Sequence, residues 1–151
     1  MSIAFDRLMT EQDTRVLGEN WVASRFPEGA TIYQSGYGYS HVFPRPLQRY
    51  AYYDFNERLS RFQMVGGATI DRPDVIVLPD SPLGTYTQVP PKIRALVGAE
   101  YVLVLTVEGA STATAPGALY DQDDAFFAPF VGMDEVTRPG PTLNIYERKR
   151  R

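Results

Sequence analysis

Asp74-Val75-Ile76-Val77-Leu78 is the stretch that decides the fold class. This short run of mostly β-branched residues stands between Pro73 and Pro79, and it predicts a strand buried on both faces. A second apolar run over residues 101–107 predicts another strand. Between them, residues 90–98 predict a short helix, because proline suits a helix start and glycine suits its end. A strand, a helix and a strand in this order indicate an α/β domain.

The flanking sequence adds one longer helix and several short strands. The helix is predicted from about Glu11 to Phe26, with Thr10 as its N-cap and acidic residues in its first turn. Near-helical spacing predicts that its buried face contains these residues: Val16, Leu17, Trp21, Val22 and Phe26. Further strands are predicted at residues 30–33, 59–65 and 142–146. We therefore expect one soluble domain over residues 1–151, with a small Rossmann-like mixed sheet and few helices.

Two segments stand apart from this pattern. Residues 35–57 are rich in Tyr, Pro and Arg, and they predict a long irregular excursion with a short strand near residues 49–53. Residues 147–151 carry a charge of +3 and predict a solvated basic tail. Because the whole chain has a net charge of −3, the other 146 residues carry −6. This acidic body argues against a nucleic-acid partner.

Composition excludes several kinds of active site. The chain has no cysteine and one histidine, His41, so thiolate chemistry and multi-histidine metal sites are excluded. No motif in the sequence predicts a cofactor or a metal. No signal peptide is visible, and no run approaches the roughly 20 apolar residues of a membrane span. The chain is accordingly either a soluble protein or a soluble piece of a larger one.

The tyrosine-rich excursion contains the first group of candidate binding residues. Its glycine loop, residues 36–41, matches only the opening of a G-x-G-x-x-G phosphate loop, because His41 replaces the third glycine and no helix pattern follows. Tyrosines offer flat apolar faces with a polar tip, which suits sugars, lipid headgroups or a partner protein. Packing of the excursion onto the sheet explains the same residues equally well. The candidates are Tyr37, Tyr39, His41, Arg45, Tyr52 and Tyr53.

A second candidate group is acidic. Asp121, Asp123 and Asp124 lie within four residues. Such carboxylates hold divalent cations or act as general acids and bases, but a calcium loop needs more ligands and a glycine at a fixed offset. A solvated turn that caps a short helix is the favoured interpretation.

Both ends of the chain resemble a known family. Asp13-Thr14-Arg15, a later Trp21-Val22 and then Pro27-Glu28-Gly29 stand near the start, and residues 138–146, Arg138-Pro139-Gly140-Pro141-Thr142-Leu143-Asn144-Ile145-Tyr146, stand at the end. Together with Tyr120-Asp121 and the strand at residues 73–78, they resemble the C-terminal soluble domain of bacterial polytopic glycosyltransferases. The group is that of the dolichyl-phosphate-mannose-protein mannosyltransferases (GT-C, family 39). The resemblance covers most of the chain, whereas the excursion at residues 37–55 departs from the family pattern.

The resemblance implies an accessory role on the extracytoplasmic face of a bacterial membrane, in which the domain covers the active site or contributes to acceptor binding. Members of that group transfer a sugar from a polyprenyl-phosphate donor, and their catalytic acid lies in a loop of the membrane portion. No catalytic residue therefore carries over to this chain. The implied partners are the membrane-embedded portion of the same polypeptide and a glycan or lipid-linked sugar, and the isolated domain is expected to be inactive. Two alternatives stay open: a small hydrolase that uses His41 with the acids at residues 121–124, and a protein-interaction module.

Overall fold

Seven strands form one mixed sheet, and this arrangement confirms the predicted α/β class. The computed structural model describes residues 3–111, 113–121 and 127–150. The helices are α1 (Ile3–Thr10), α2 (Thr14–Arg25) and α3 (Pro91–Glu100). The strands are β1 (Thr31–Gln34), β2 (Ala51–Asn56), β3 (Arg61–Gln63), β4 (Thr69–Ile70), β5 (Val75–Asp80), β6 (Tyr101–Val107) and β7 (Thr142–Arg148). Single 3-10 turns occur at Gly38–Ser40, Leu47–Arg49, Gly84–Tyr86 and Met133–Glu135. No helix in these ranges is long and apolar enough to span a bilayer.

The strand order is β4-β3-β2-β1-β5-β7-β6. Strand β1 lies between β2 and β5 and is parallel to both, whereas β7 runs antiparallel to β5 and β6. The strands β1, β2 and β5 therefore end at the same side of the sheet, which we call the carboxyl edge. The opposite side, where these three strands begin, is the amino edge. In open α/β sheets, ligands bind at the carboxyl edge where the chain leaves neighbouring strands in opposite directions.

Strand β5 has the central position that its sequence predicted. Val75, Ile76 and Val77 are fully buried, because hydrophobic clusters cover both faces of the sheet. The strand continues through Pro79 to Asp80, beyond the predicted boundary. Pro79 is tolerated there because β1 pairs with β5 only as far as Val77, and β7 is the remaining neighbour of the last residues of β5.

The predicted start of the long helix is wrong. Helix α2 begins at Thr14, and the carboxylate of Asp13 caps it by accepting a hydrogen bond from the Arg15 backbone N–H at 2.8 Å. Helix α1, which was not predicted, precedes it. Of the five residues predicted for the buried face, Val22 and Phe26 are buried in a core cluster and Leu17 and Trp21 pack against that cluster, whereas Val16 is 39% exposed. The buried face consists of Thr14, Gly18 and Val22 at a spacing of four residues.

Gly18 is the point of close contact between α2 and its neighbours. A Cβ atom on Gly18 would lie 2.9 Å from Val42 Cγ1 and 3.1 Å from Leu143 Cδ1. The missing side chain lets α2 approach the sheet closely. A glycine adds nothing to an apolar pattern, so the spacing of apolar residues does not indicate that Gly18 faces the sheet.

Two other boundaries differ from the predictions. The irregular excursion does not reach residue 57, because Ala51–Asn56 form β2 in register with β1 on one side and β3 on the other. The basic tail does not begin at residue 147, because Glu147 and Arg148 belong to β7: Glu147 pairs with both β5 and β6, and Arg148 pairs with β6. In each case other strands supply the hydrogen-bond partners, and the composition of the segment itself does not reveal them.

A third hydrophobic cluster, in addition to the two on the faces of the sheet, covers part of the carboxyl edge, and we call it the cap cluster. It joins α1 to the segments that follow β5 and β6. Its buried members are Leu8, Leu83, Ala110, Ala115, Ala118, Tyr120, Phe127 and Val136. The ends of β1 and β2 lie outside this cluster, so that corner of the carboxyl edge remains open.

Candidate functional site

The loop after β1 is held closed by two ties. The side-chain amide of Gln34 donates to the carbonyl of Val42, and its carbonyl oxygen accepts from the Val42 N–H, both at 2.8 Å. His41 Nε2 lies 3.1 Å from the carbonyl oxygen of Ser35 and 3.2 Å from that of Gly36. Because both partners are acceptors, Nε2 carries the proton. Burial lowers the pKa of His41, and these two hydrogen bonds partly offset that effect.

This environment assigns His41 a structural role. The ring nitrogen Nε2 is engaged by the backbone, and the ring packs edge-to-face on Phe43 with 5.9 Å between the ring centres. The sequence left open a pairing of His41 with the acids at residues 121–124. Asp121 is exposed, and Asp123 and Asp124 lie outside the described residues. In the described ranges, no group of three or more His, Cys, Asp or Glu side chains is arranged to hold a metal ion.

Three tyrosine rings form an exposed surface at the turn of residues 37–40, and we call Tyr37, Tyr39 and Tyr86 the tyrosine platform. Tyr37 and Tyr39 are 62% and 64% exposed. Both rings contact Tyr86 edge-to-face, with ring centres 6.3 and 5.9 Å apart. Tyr86 in turn contacts Phe127 of the cap cluster at 6.4 Å. Through Tyr86, the exposed rings of Tyr37 and Tyr39 are thus connected to the buried cap cluster.

Backbone contacts fix the position of the platform. The carbonyl oxygen of Tyr86 accepts hydrogen bonds from the Tyr37 N–H at 3.1 Å and from Ser40 Oγ at 2.8 Å. Arg15 donates to the Tyr39 carbonyl at 2.7 Å. The same guanidinium forms an ion pair with Asp13 and stacks over Phe127 at 5.2 Å from the ring centre. The backbone of the platform is therefore tied by hydrogen bonds to Arg15 and to the segment that contains Tyr86.

The two stretches that carry the family resemblance meet beside the platform. The Thr14 N–H donates to the carbonyl of Pro139 at 3.0 Å. Arg138 donates to the carbonyl of Gln12 at 3.3 Å. The Asp13-Thr14-Arg15 motif thus caps α2, joins the two ends of the chain and holds Tyr39 in place.

The other predicted binding residues are placed differently. Tyr52 and Tyr53 are neighbours on β2, and they point to opposite faces of the sheet, where they pack against different hydrophobic clusters. Burial raises the pKa of Tyr52 to about 12. Arg45 is exposed, with no side-chain partner among the described residues. The structure therefore brings Tyr37 and Tyr39 together and separates Tyr52 and Tyr53 from them.

A groove of about 640 Å³ opens beside the platform at the ends of β1 and β2. Its lining was missed by sequence reasoning, apart from Tyr37. It includes Tyr33, Ser35, Asp54, Glu57 and Arg94, which come from β1, β2 and α3. The positions of Ser35 and Glu57 in the sequence are the feature that indicates this groove, because both residues directly follow the ends of parallel strands.

A larger groove of about 950 Å³ lies at the amino edge. Its charged groups are mostly paired with each other. Arg72 forms a bidentate ion pair with Glu100 at 2.7 and 2.8 Å, and Arg148 pairs with Asp74 at 3.0 Å. Because these charges already have partners, the smaller groove at the carboxyl edge is the better candidate for ligand binding.

Comparisons with known proteins add no identification. No protein-family model, no curated protein and no solved structure matches the chain significantly.

Proposed function

We propose that this chain is an accessory extracytoplasmic domain of a membrane glycosyltransferase whose sugar donor is a polyprenyl phosphate. In this role it contributes to acceptor binding and is inactive alone. The observation that carries the proposal is the exposed tyrosine platform beside an open groove at the carboxyl edge. Exposed aromatic faces bind the apolar faces of sugar rings, and a groove next to them supplies hydrogen-bonding groups.

The contacts of the family-like residues support the proposal. The Asp13-Thr14-Arg15 motif and the Pro139 region pack together and hold Tyr39. The stretches that resemble the glycosyltransferase domain therefore build the part of the molecule that presents the platform. A domain that presents the same platform would need the same contacts between these two stretches, so we expect the stretches to be similar in sequence.

The position of α1 is consistent with a platform and groove that face the membrane portion, as the proposal requires. In the parent group, the membrane portion precedes the soluble domain. Helix α1 packs through Leu8 into the cap cluster at the carboxyl edge. The platform and groove lie at this same edge, so they would face the side from which the chain leaves the membrane.

An exposed apolar patch on the cap is consistent with a contact to the membrane portion. Leu119 pairs with Val131 in an isolated β-bridge, and both side chains are about half exposed. Phe130, beside them, is 62% exposed. Contiguous exposed apolar side chains mark interaction sites with proteins or membranes.

The natural reading frame gives the most direct test. We expect it to continue upstream of Met1 into a segment with many membrane spans. A natural start at Met1, established from the genomic sequence and the 5′ end of the transcript, would overturn the proposal.

The isolated chain tests the acceptor-binding part. We expect a panel of soluble oligosaccharides to contain a ligand that shifts the backbone amide signals of residues 35–41 in NMR spectra. Tyr39→Ala should weaken this binding, whereas Leu59→Ala, which removes an exposed apolar side chain outside the platform, should leave it unchanged. Equal effects of the two substitutions would contradict a role for the platform.

A further inference from the structure

Three charged side chains in the carboxyl-edge groove have no ionic partner in the part of the chain that the structure describes. Asp54 lies on β2, Glu57 directly follows β2, and Arg94 lies near the start of α3. All three are exposed. Among the described residues, none of the three side chains forms an ion pair or a hydrogen bond. The groove therefore presents two carboxylates and one guanidinium that are free to bind a ligand.

A buried hydroxyl adjoins these groups. Ser35 lines the groove and is only 2% exposed, and its Oγ has no hydrogen-bond partner among the described residues. Its backbone groups are satisfied, because its N–H donates to Val77 and its carbonyl faces His41. An unpaired buried hydroxyl is costly, and a polar ligand group in the groove would relieve this cost.

Aromatic rings form the apolar part of the same groove. Tyr33 and Phe55 contact each other edge-to-face with ring centres 6.4 Å apart, and Tyr37 joins the groove to the platform. The volume of the groove lies within the range of about 300–1,000 Å³ that is usual for small-molecule sites. Apolar faces combined with planar charged groups suit a sugar ring, which has an apolar C–H face and a rim of hydroxyls.

The balance of charge distinguishes between classes of sugar. Two carboxylates against one guanidinium repel a phosphate or a carboxylate, whereas hydroxyls donate hydrogen bonds to carboxylates without repulsion. Among the lining residues that the structure describes, Arg94 is the one basic side chain, so no basic cluster offsets this effect.

We propose that the groove formed by Ser35, Asp54, Glu57 and Arg94 is a subsite for one neutral sugar unit and that it rejects anionic sugars. This inference rests on the proposed function and specifies it further. The domain would hold a neutral sugar of the acceptor, and the phosphate-bearing donor would bind elsewhere. Asp54 and Glu57 accept hydrogen bonds from ring hydroxyls, and Arg94 donates to a hydroxyl or ring oxygen.

NMR titration of the intact chain tests the subsite. The neutral probes are methyl glycosides of mannose, glucose and galactose, and the anionic probes are glucuronate and glucose 1-phosphate. We expect at least one neutral probe to shift amide signals at residues 33–37 and 54–57, and both anionic probes to bind at least about tenfold more weakly.

Substitutions locate the binding groups. Asp54→Asn and Glu57→Gln should each weaken binding of the neutral probe by about tenfold, because hydrogen bonds to charged groups are the stronger ones. Glu28→Gln, which neutralises an exposed glutamate at the amino edge, is the matched control and should have no effect. Circular dichroism establishes that each variant is folded.

The outcomes separate this inference from the proposed function. Tighter binding of an anionic probe, or binding that is insensitive to both Asp54→Asn and Glu57→Gln, would overturn the subsite. Absence of a shift with every neutral probe would overturn it as well. The proposed function would still stand in these cases if the reading frame continues into membrane spans.

Discussion

Replacement of Gly36 by alanine should destabilise the platform and the whole domain. Gly36 has φ = +78°, a conformation that alanine adopts only with strain. A Cβ atom there would lie 2.2 Å from the carbonyl oxygen of Tyr86 and 2.9 Å from Ser40 Oγ. The Tyr86 oxygen cannot move without loss of its hydrogen bonds from Tyr37 and Ser40. The substitution therefore combines backbone strain with the loss of two hydrogen bonds.

The expected magnitude follows from these contacts. Backbone strain costs about 1–3 kcal/mol, and each lost hydrogen bond costs about 1 kcal/mol, so the free energy of unfolding should fall by about 3–5 kcal/mol. This is a large part of the roughly 5–15 kcal/mol that stabilises a typical domain. Binding of any ligand at the platform should be lost as well, because Tyr37 and Tyr39 flank the displaced carbonyl.

Gly38→Ala is the matched control in the same loop. Gly38 has no positive φ, and a Cβ atom there meets nothing within 4 Å. Its free energy of unfolding should stay within about 1 kcal/mol of the unsubstituted protein. Urea unfolding followed by circular dichroism measures both variants. If Gly36→Ala and Gly38→Ala differ by less than about 1 kcal/mol, the close contact with Tyr86 does not constrain this turn.

Two further predictions concern the cap cluster and His41. Phe127 is fully buried, so Phe127→Ala should lower the free energy of unfolding by about 3–5 kcal/mol, whereas Phe130→Ala at a 62% exposed position should change it by less than about 0.5 kcal/mol. Equal losses for the two variants in urea unfolding would contradict the buried position of Phe127. Because burial lowers the pKa of His41, its ring should titrate below the ordinary value of about 6.5 in a one-histidine NMR spectrum. The unfolded chain then takes up the proton first as the pH falls below about 6.5, so stability should decrease there, and His41→Gln should reduce this decrease. A midpoint at or above about 6.5 would contradict the buried position of the ring.

The sequence predicted the elements whose signals are local. Strands β5 and β6 are runs of aliphatic residues, and α3 has proline at its start, so their positions did not depend on partners elsewhere. Helix α1 was missed because it is short and Leu8 is its one buried residue. A single apolar position does not produce a periodic pattern. Strand β2 was only partly recognised because β1 and β3 supply its hydrogen bonds.

In the candidate site, too, the sequence predicted some residues correctly and only the structure placed the others. Tyr37 and Tyr39 were predicted from composition, and Tyr52 and Tyr53 satisfied the same criterion although they pack on opposite faces of the sheet. Composition reports that tyrosines are clustered in sequence, but the pleat of the strand decides which way each side chain points.

Residue types and strong local patterns therefore determined the α/β class, the absence of thiol chemistry and the tyrosine-rich loop. Tertiary structure alone decided that Ser35, Asp54, Glu57 and Arg94 line one groove. These residues come from three elements that are distant in sequence, and they meet because β1 and β2 are parallel and end at the same edge. Sheet topology, which arises from hydrogen bonds between distant strands, creates that neighbourhood.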